Sequence, residues 1–168
     1  MNTPLSYQIR ERLLTLSFHA YEGGLLDLLT RMGYREVSVK GRTKTRQFTS
    51  HGGHDMEAVA KIGLTSTRLL LQAKQYRRPV SRRFVDELRG TMLREGASQG
   101  LLISTSQFSE VAKRAALSTA SSIHLLDGEA LANAMIRHGV GVHIREGLKR
   151  KRLSLDHAYF ETLTTRFP

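Results

Sequence analysis

The chain contains no cysteine. A disulfide framework is therefore excluded, and so is a zinc site built on thiolates. No apolar run approaches the roughly 20 residues that a membrane-spanning helix requires. The first residues carry Arg10, Glu11 and Arg12 without a long apolar stretch, so they do not read as a secretory signal. There is no glycine-rich phosphate loop of the nucleotide-hydrolase kind and no serine–histidine triad signature. Acidic side chains are scarce. Fifteen stand against 26 lysines and arginines, a formal net charge of +11. That excess favours a polyanionic partner, nucleic acid first and an anionic membrane surface second, over a basic protein that binds nothing acidic. At 168 residues the chain suits one domain with a real core and is short for two. A cytoplasmic protein without a membrane segment is the resulting expectation.

The apolar pattern outlines the domain. Phe18, Tyr21, Leu25, Leu28, Leu29 and Met32 recur at three- and four-residue steps, which predicts an amphipathic helix ending at Gly33. Gly23 and Gly24 inside it each cost about 1 kcal/mol relative to alanine, and the pair points to close approach of another backbone. Glu36–Lys40 predicts a short strand with Val37 and Val39 on one face. Gly41–Gly53 is polar and basic and reads as a loop. Asp55–Ile62 and Arg68–Lys74 predict two strands joined by a Gly63–Ser66 turn in a hairpin. Pro79 is read as the start of a helix striped by Val80, Phe84, Val85, Leu88 and Met92, with Arg82, Arg83, Asp86 and Glu87 largely on its other side. Leu101–Ile103 and Ile123–Leu126 predict buried strands. Ser109 caps a helix running through Leu117, and Asp127 begins another through Arg137. This order implies a central mixed sheet with helices on both faces. Residues 1–17 are set apart as an N-terminal extension, 18–138 as the domain, and 139–168 as a basic C-terminal extension. In the last segment Lys149–Arg152 reads either as solvated surface or as a phosphate-contacting tail.

Several separated residues carry chemistry. Asp55 follows His51-Gly52-Gly53-His54, and Gln72 and Lys74 close the second strand of the hairpin. Residues two apart on a strand share a face, so Gln72 and Lys74 point together while Leu71 and Ala73 point into the opposite layer. Glu22 sits at the edge of the helical apolar stripe, where an unpartnered carboxylate is unfavourable. An acid, an amide oxygen and a second acid suit a hard divalent ion. Asp55 is the first candidate ligand, with Gln72 and Glu22 completing the set and Glu57 in reserve. Lys74 is placed to orient the attacking water. The ion is read as Mg2+, with Mn2+ as a substitute, and the reaction as phosphodiester hydrolysis. His51 and His54 lack the further ligands that zinc requires. Arg42, Lys44, Arg46, Arg77, Arg78, Arg82 and Arg83 flank the site in sequence and are candidate contacts to backbone phosphates.

Five pieces of the chain resemble, in order and spacing, the catalytic domain of the Mrr-type restriction endonucleases within the PD-(D/E)xK nuclease superfamily. They are Tyr21-Glu22 with Leu28-Leu29 and Met32-Gly33-Tyr34; Gly52-Gly53-His54-Asp55; Gln72-Ala73-Lys74-Gln75-Tyr76; Ile103-Ser104-Thr105 with Phe108 and Ala112; and Leu125-Leu126-Asp127-Gly128 with Leu131. The resemblance spans about Phe18 to Arg137 and implies a restriction-endonuclease-like α/β fold, with glutamine replacing the superfamily's usual acid at Gln72. It implies a DNA endonuclease of the type IV restriction, or defence, kind. Two departures qualify it. The family often carries an acid where His51 stands, and its restriction enzymes usually add a DNA-reading domain, for which the chain leaves no room. A homodimer is expected because cutting both strands needs two sites, and another subunit could supply sequence recognition. The alternatives are a structure-selective nuclease of the Holliday-junction type and a catalytically inactive nuclease fold that binds DNA or bridges subunits.

Overall fold

The computed structural model describes residues 3–39, 55–62, 64–117, 122–146 and 151–168. Its elements in chain order are α1 (Leu5–Thr15), α2 (Phe18–Arg31), β1 (Arg35–Val39), β2 (Met56–Ile62), β3 (Thr65–Lys74), α3 (Arg82–Glu95), β4 (Gln99–Ser104), α4 (Glu110–Ala116), β5 (Ser122–Leu126), α5 (Gly128–Arg137), β6 (Val142–Glu146), β7 (Lys151–Leu155) and α6 (His157–Arg166).

Five strands form one sheet in the order β1-β2-β3-β4-β5, antiparallel across β1-β2-β3 and parallel across β3-β4-β5. The mixed sheet with helices on both faces agrees with the sequence reading. Strand alternation divides two apolar layers. Leu71, Ala73 and Ile103 face the side where Tyr21, Leu25, Leu131 and Phe160 pack. Leu70, Leu102 and Ile123 face the side of Val85, Leu88, Met92 and Ala112. The stretches Leu69–Leu71 of β3 and Leu101–Ile103 of β4 are covered on both faces and read as continuous apolar runs, as parallel strands do.

Local chemistry sets the helix ends. Ser17, Ser109 and Asp127 each accept a backbone N–H three residues on, at 3.1, 3.2 and 2.9 Å. Gly33 follows α2 with φ +93°, a conformation that glycine adopts without strain.

The structure also corrects the reading. Pro79 does not open α3; the helix begins at Arg82 after Ser81. Val80 instead makes a parallel bridge with Phe108, which ties the segment after β3 to the segment after β4. The hairpin turn is shorter than expected, because Ile62 already pairs with Thr65. What approaches the glycine pair in α2 is side chain, not backbone. A Cβ on Gly23 would lie 2.3 Å from the Phe167 ring, and one on Gly24 would lie 3.3 Å from Leu163. Among the described residues, α1 lies before Phe18, and β6, β7 and α6 lie after Gly139. Ile9 and Leu13 of α1, Val142 of β6 and Phe160 and Leu163 of α6 join the larger apolar layer. The basic loop around Arg42, Lys44 and Arg46 lies outside the described residues, as do His51 and His54.

The Gly23–Phe167 contact gives a prediction whose sign reverses. Gly23→Ala should destabilise the protein in thermal melts, because overpacking of about 1–3 kcal/mol exceeds the gain of about 1 kcal/mol in helix propensity. In a Phe167→Ala background the same change should stabilise.

Candidate active site

Strand direction brings the candidate residues to one end of the sheet. β3, β4 and β5 run parallel and β2 runs against them, so the start of β2 lies beside the C-terminal ends of the other three. Asp55 stands just before β2. Its backbone N–H donates to the Leu71 carbonyl at 2.8 Å. Its carboxylate Oδ2 accepts the Ala73 N–H at 2.7 Å. The carboxylate is thereby fixed against the strand end that carries Gln72 and Lys74.

Gln72 is buried, and its Oε1 is sealed from solvent with no hydrogen-bond donor among the described residues. Lys74 is half-buried, with Nζ 4.7 Å from the centroid of the Phe84 ring. Arg83 lies over the same ring at 5.6 Å, and Tyr76 meets it at 5.9 Å between centroids. The ammonium is therefore held in an aromatic contact of the cation–π kind.

Glu22 comes from the other layer. It is buried in α2, and His19 Nδ1 lies 3.3 Å from its Oε2. The neighbouring Tyr21 feels the charge of Asp55. Its ring is fully buried, its hydroxyl has no partner among the described residues, and burial, with the negative charge of Asp55 adding to it, pushes the phenol well above the ordinary tyrosine range. Glu57, the reserve ligand, is engaged elsewhere. Arg68 grips both its carboxylate oxygens at 2.7 and 3.3 Å and also reaches Glu95 at 2.6 Å. Among the described residues no three histidine or acidic side chains cluster as a metal cage.

The flanking arginines are exposed, and three of the four described are paired. Arg77 meets Glu11 at 3.1 Å, Arg82 meets Asp86 at 3.0 Å and Arg83 meets Glu87 at 2.6 Å. Such surface pairs contribute at most about 1 kcal/mol and yield readily to a competing anion. Arg78 has no acidic partner among the described residues.

Sequence reasoning missed one structural anchor. The side-chain amide of Gln75 donates to the carbonyls of Leu13 and Leu16 at 2.7 and 2.8 Å. It caps the end of α1 and fixes the α1–α2 junction to the strand that carries Gln72 and Lys74. Its partners are some sixty residues away in sequence, so no local spacing signals the bond.

Comparison with known proteins agrees with this architecture. Residues 13–135 match the family model Mrr_cat, described as restriction endonuclease. Over 155 residues the chain is 33% identical to the type IV methyl-directed restriction enzyme EcoKMrr of Escherichia coli (strain K12), covering 92% of this chain and 48% of that protein. The chain thus spans about half the length of this curated relative. Among solved structures, the DNA modification-dependent restriction endonuclease AspBHI superposes with a TM-score of 0.63 at 21% identity, over 83% of this chain and 37% of that one. The MspJI restriction endonuclease in complex with a 27-mer oligonucleotide gives a TM-score of 0.55 at 21% identity, over 80% and 31%. At this identity the two structures speak for the fold.

Two outcomes follow from Tyr21 and Gln75. The folded phenol keeps its proton where the unfolded one ionises, so the stability it contributes is complete below about pH 10 and declines as pH rises further. Tyr21→Phe should reduce that alkaline slope in denaturant titrations. Gln75→Leu should lower stability by about 1–3 kcal/mol by leaving two carbonyls without their donor, as read by urea unfolding.

Proposed function

The chain belongs to the Mrr_cat restriction endonuclease family, and from that premise we propose that it is a divalent-metal-dependent DNA endonuclease that hydrolyses phosphodiester bonds. The observation that carries this reading is the junction of the Asp55 carboxylate with the end of β3, next to Gln72, whose Oε1 has no donor among the described residues, and to Lys74 two residues on.

The residues fit a hard cation. A buried acceptor without a donor costs about 1–3 kcal/mol, and an ion beside Gln72 Oε1 would relieve it. Carboxylate and amide oxygens are the donors that Mg2+ takes, usually one or two carboxylates together with waters and substrate phosphate. Asp55 and Gln72 would hold the ion, with Glu22 a further candidate ligand. Mn2+ would substitute. When bound, the ion supplies Lewis-acid stabilisation of the charge that develops on the phosphoryl oxygens.

The remaining roles belong to the chain's own groups. Lys74 leaves the Phe84 ring to orient the attacking water and screen the phosphate. Arg77, Arg82 and Arg83 exchange their surface acids for backbone phosphates and Arg78 adds a further contact, which fixes the duplex without reading its sequence. Arg42, Lys44 and Arg46 belong to the same set. A second copy of the chain would supply the cut on the other strand, and a further domain or subunit would supply sequence recognition.

Supercoiled plasmid incubated with Mg2+ tests the reading. Wild type should nick or linearise it, and Lys74→Ala should lower the rate at least about 100-fold. Asp55→Asn keeps an acceptor for the Ala73 amide, so it should remain folded while losing activity to the same degree. Cleavage by both variants at the wild-type rate would reject the assignment. Preference for a four-way junction over linear duplex would place the protein among structure-selective nucleases. Duplex binding without cleavage in either Mg2+ or Mn2+ would mark a non-catalytic module.

A further inference from the structure

A crevice of about 330 Å3 lies between α1 and the segments that follow β3 and β4, and of its lining the hydrolytic reading gives a role to Arg77 alone. Arg10 and Glu11 line one wall, Arg77 another, and Thr105, Ser106 and Gln107 the third. The third wall is pinned to the strand end that carries Lys74. The Thr105 N–H donates to the Lys74 carbonyl at 3.1 Å, and its hydroxyl donates to the Tyr76 carbonyl at 2.8 Å. The crevice therefore sits at the same end of the sheet as Asp55, Gln72 and Lys74.

The Asp127-Gly128 turn helps to build it. The Gly128 N–H donates to the Ser106 carbonyl at 3.1 Å. A Cβ at Gly128 would lie 2.1 Å from the Thr105 carbonyl oxygen and 2.7 Å from Cδ of Arg10. Only glycine lets the Arg10 stem and the Thr105 backbone come together here.

The lining is mostly polar, with Leu14 and Pro79 its apolar members, and carries a net positive charge. It holds two guanidiniums and one carboxylate. Glu11 is occupied by Arg77, with Nη1 at 3.1 and 3.5 Å from its two oxygens. Arg10 has no acidic partner among the described residues; its guanidinium carbon lies 5.8 Å from the Tyr7 ring centroid. The Ser106 hydroxyl donates to the Arg78 carbonyl at 2.7 Å, so it closes the wall and does not face a ligand. Gln107 is exposed and adds an amide donor.

We propose that this crevice is a subsite for one non-scissile phosphate of the DNA backbone, shared by Arg10 and Arg77, with Glu11 holding Arg77 in place until the phosphate displaces it. Planar guanidiniums match the geometry of phosphate oxygens, and two of them outweigh the carboxylate they must shed. The subsite rests on the reading that DNA is the substrate. It extends that reading by giving α1 a part in binding and by making an acidic residue work against it.

Binding of a fluorescent 20-base-pair duplex, followed by anisotropy in EDTA over a salt series, separates binding from cleavage. Arg77→Gln should weaken binding about tenfold, the loss of a hydrogen bond to a charged group. The slope of log affinity against log salt should fall by less than about 0.9, the value for one phosphate, because Arg10 still faces it. Adding Arg10→Gln should bring the total fall to about 0.9 and no further, because both arginines serve the same phosphate. Glu11→Gln should tighten binding about two- to fivefold, consistent with the release of an exposed pair. Arg77 and Glu11 are surface residues, so these variants test binding without threatening the fold. Unchanged or weaker binding by Glu11→Gln, or a total fall in slope for the two arginines beyond the value for one phosphate, would overturn the shared subsite. Wild-type binding with insensitive variants would sink the subsite alone, and failure of the wild type to bind any duplex would sink the DNA reading with it.

Discussion

The bond from the Ala73 amide to the Asp55 carboxylate joins the two halves of the candidate site. It needs β2 to run against β3, so that the first residue of one lies beside the last residues of the other. It also needs Asp55 to stand outside the ladder, where its side chain can accept a backbone N–H of the neighbouring strand. With the carboxylate tied in this way, Gln72 and Lys74 need only the ordinary alternation of a strand to stand next to it. The packing of Leu70 and Leu71 into opposite apolar layers keeps that alternation from slipping, because a shift of one residue would turn each into the wrong layer.

The charge distribution follows a related logic. The chain carries a large positive excess, yet Arg77, Arg82 and Arg83 each have a neighbouring acid: Glu11, Asp86 and Glu87. These pairs are exposed and weak, so they hold long side chains near one orientation without committing them. The trio of Arg68, Glu57 and Glu95 plays a different part. It links β2, β3 and the end of α3, and it takes Glu57 out of contention as a ligand.

Much of the sheet and its helices was legible because each element carried its own local signal. The stripe from Phe18 to Met32 marked α2, and Ser109 and Asp127 marked the starts of α4 and α5. Misreadings arose where two local signals competed. Pro79 is a plausible first residue of a helix, but Ser81 lies closer to the stripe, and Val80 is drawn into a bridge with Phe108 that no local pattern encodes. α1 went unread because Ile9 and Leu13 form a narrow seam among Arg10, Glu11 and Arg12, and their burial depends on partners far along the chain. The same holds for the site. Asp55, Gln72 and Lys74 stand out through short motifs and strand parity, whereas the grip of Gln75 on α1 and the pairing of Glu11 with Arg77 exist only in three dimensions.

Phe84 sits one residue from Arg83 and two from Arg82, on the first turn of α3, and its ring carries the Lys74 ammonium. One turn of helix thus governs both the resting perch of the ammonium and the attitude of the guanidiniums beside it. A displacement of that turn would shift the ring under the ammonium and the guanidiniums beside it together.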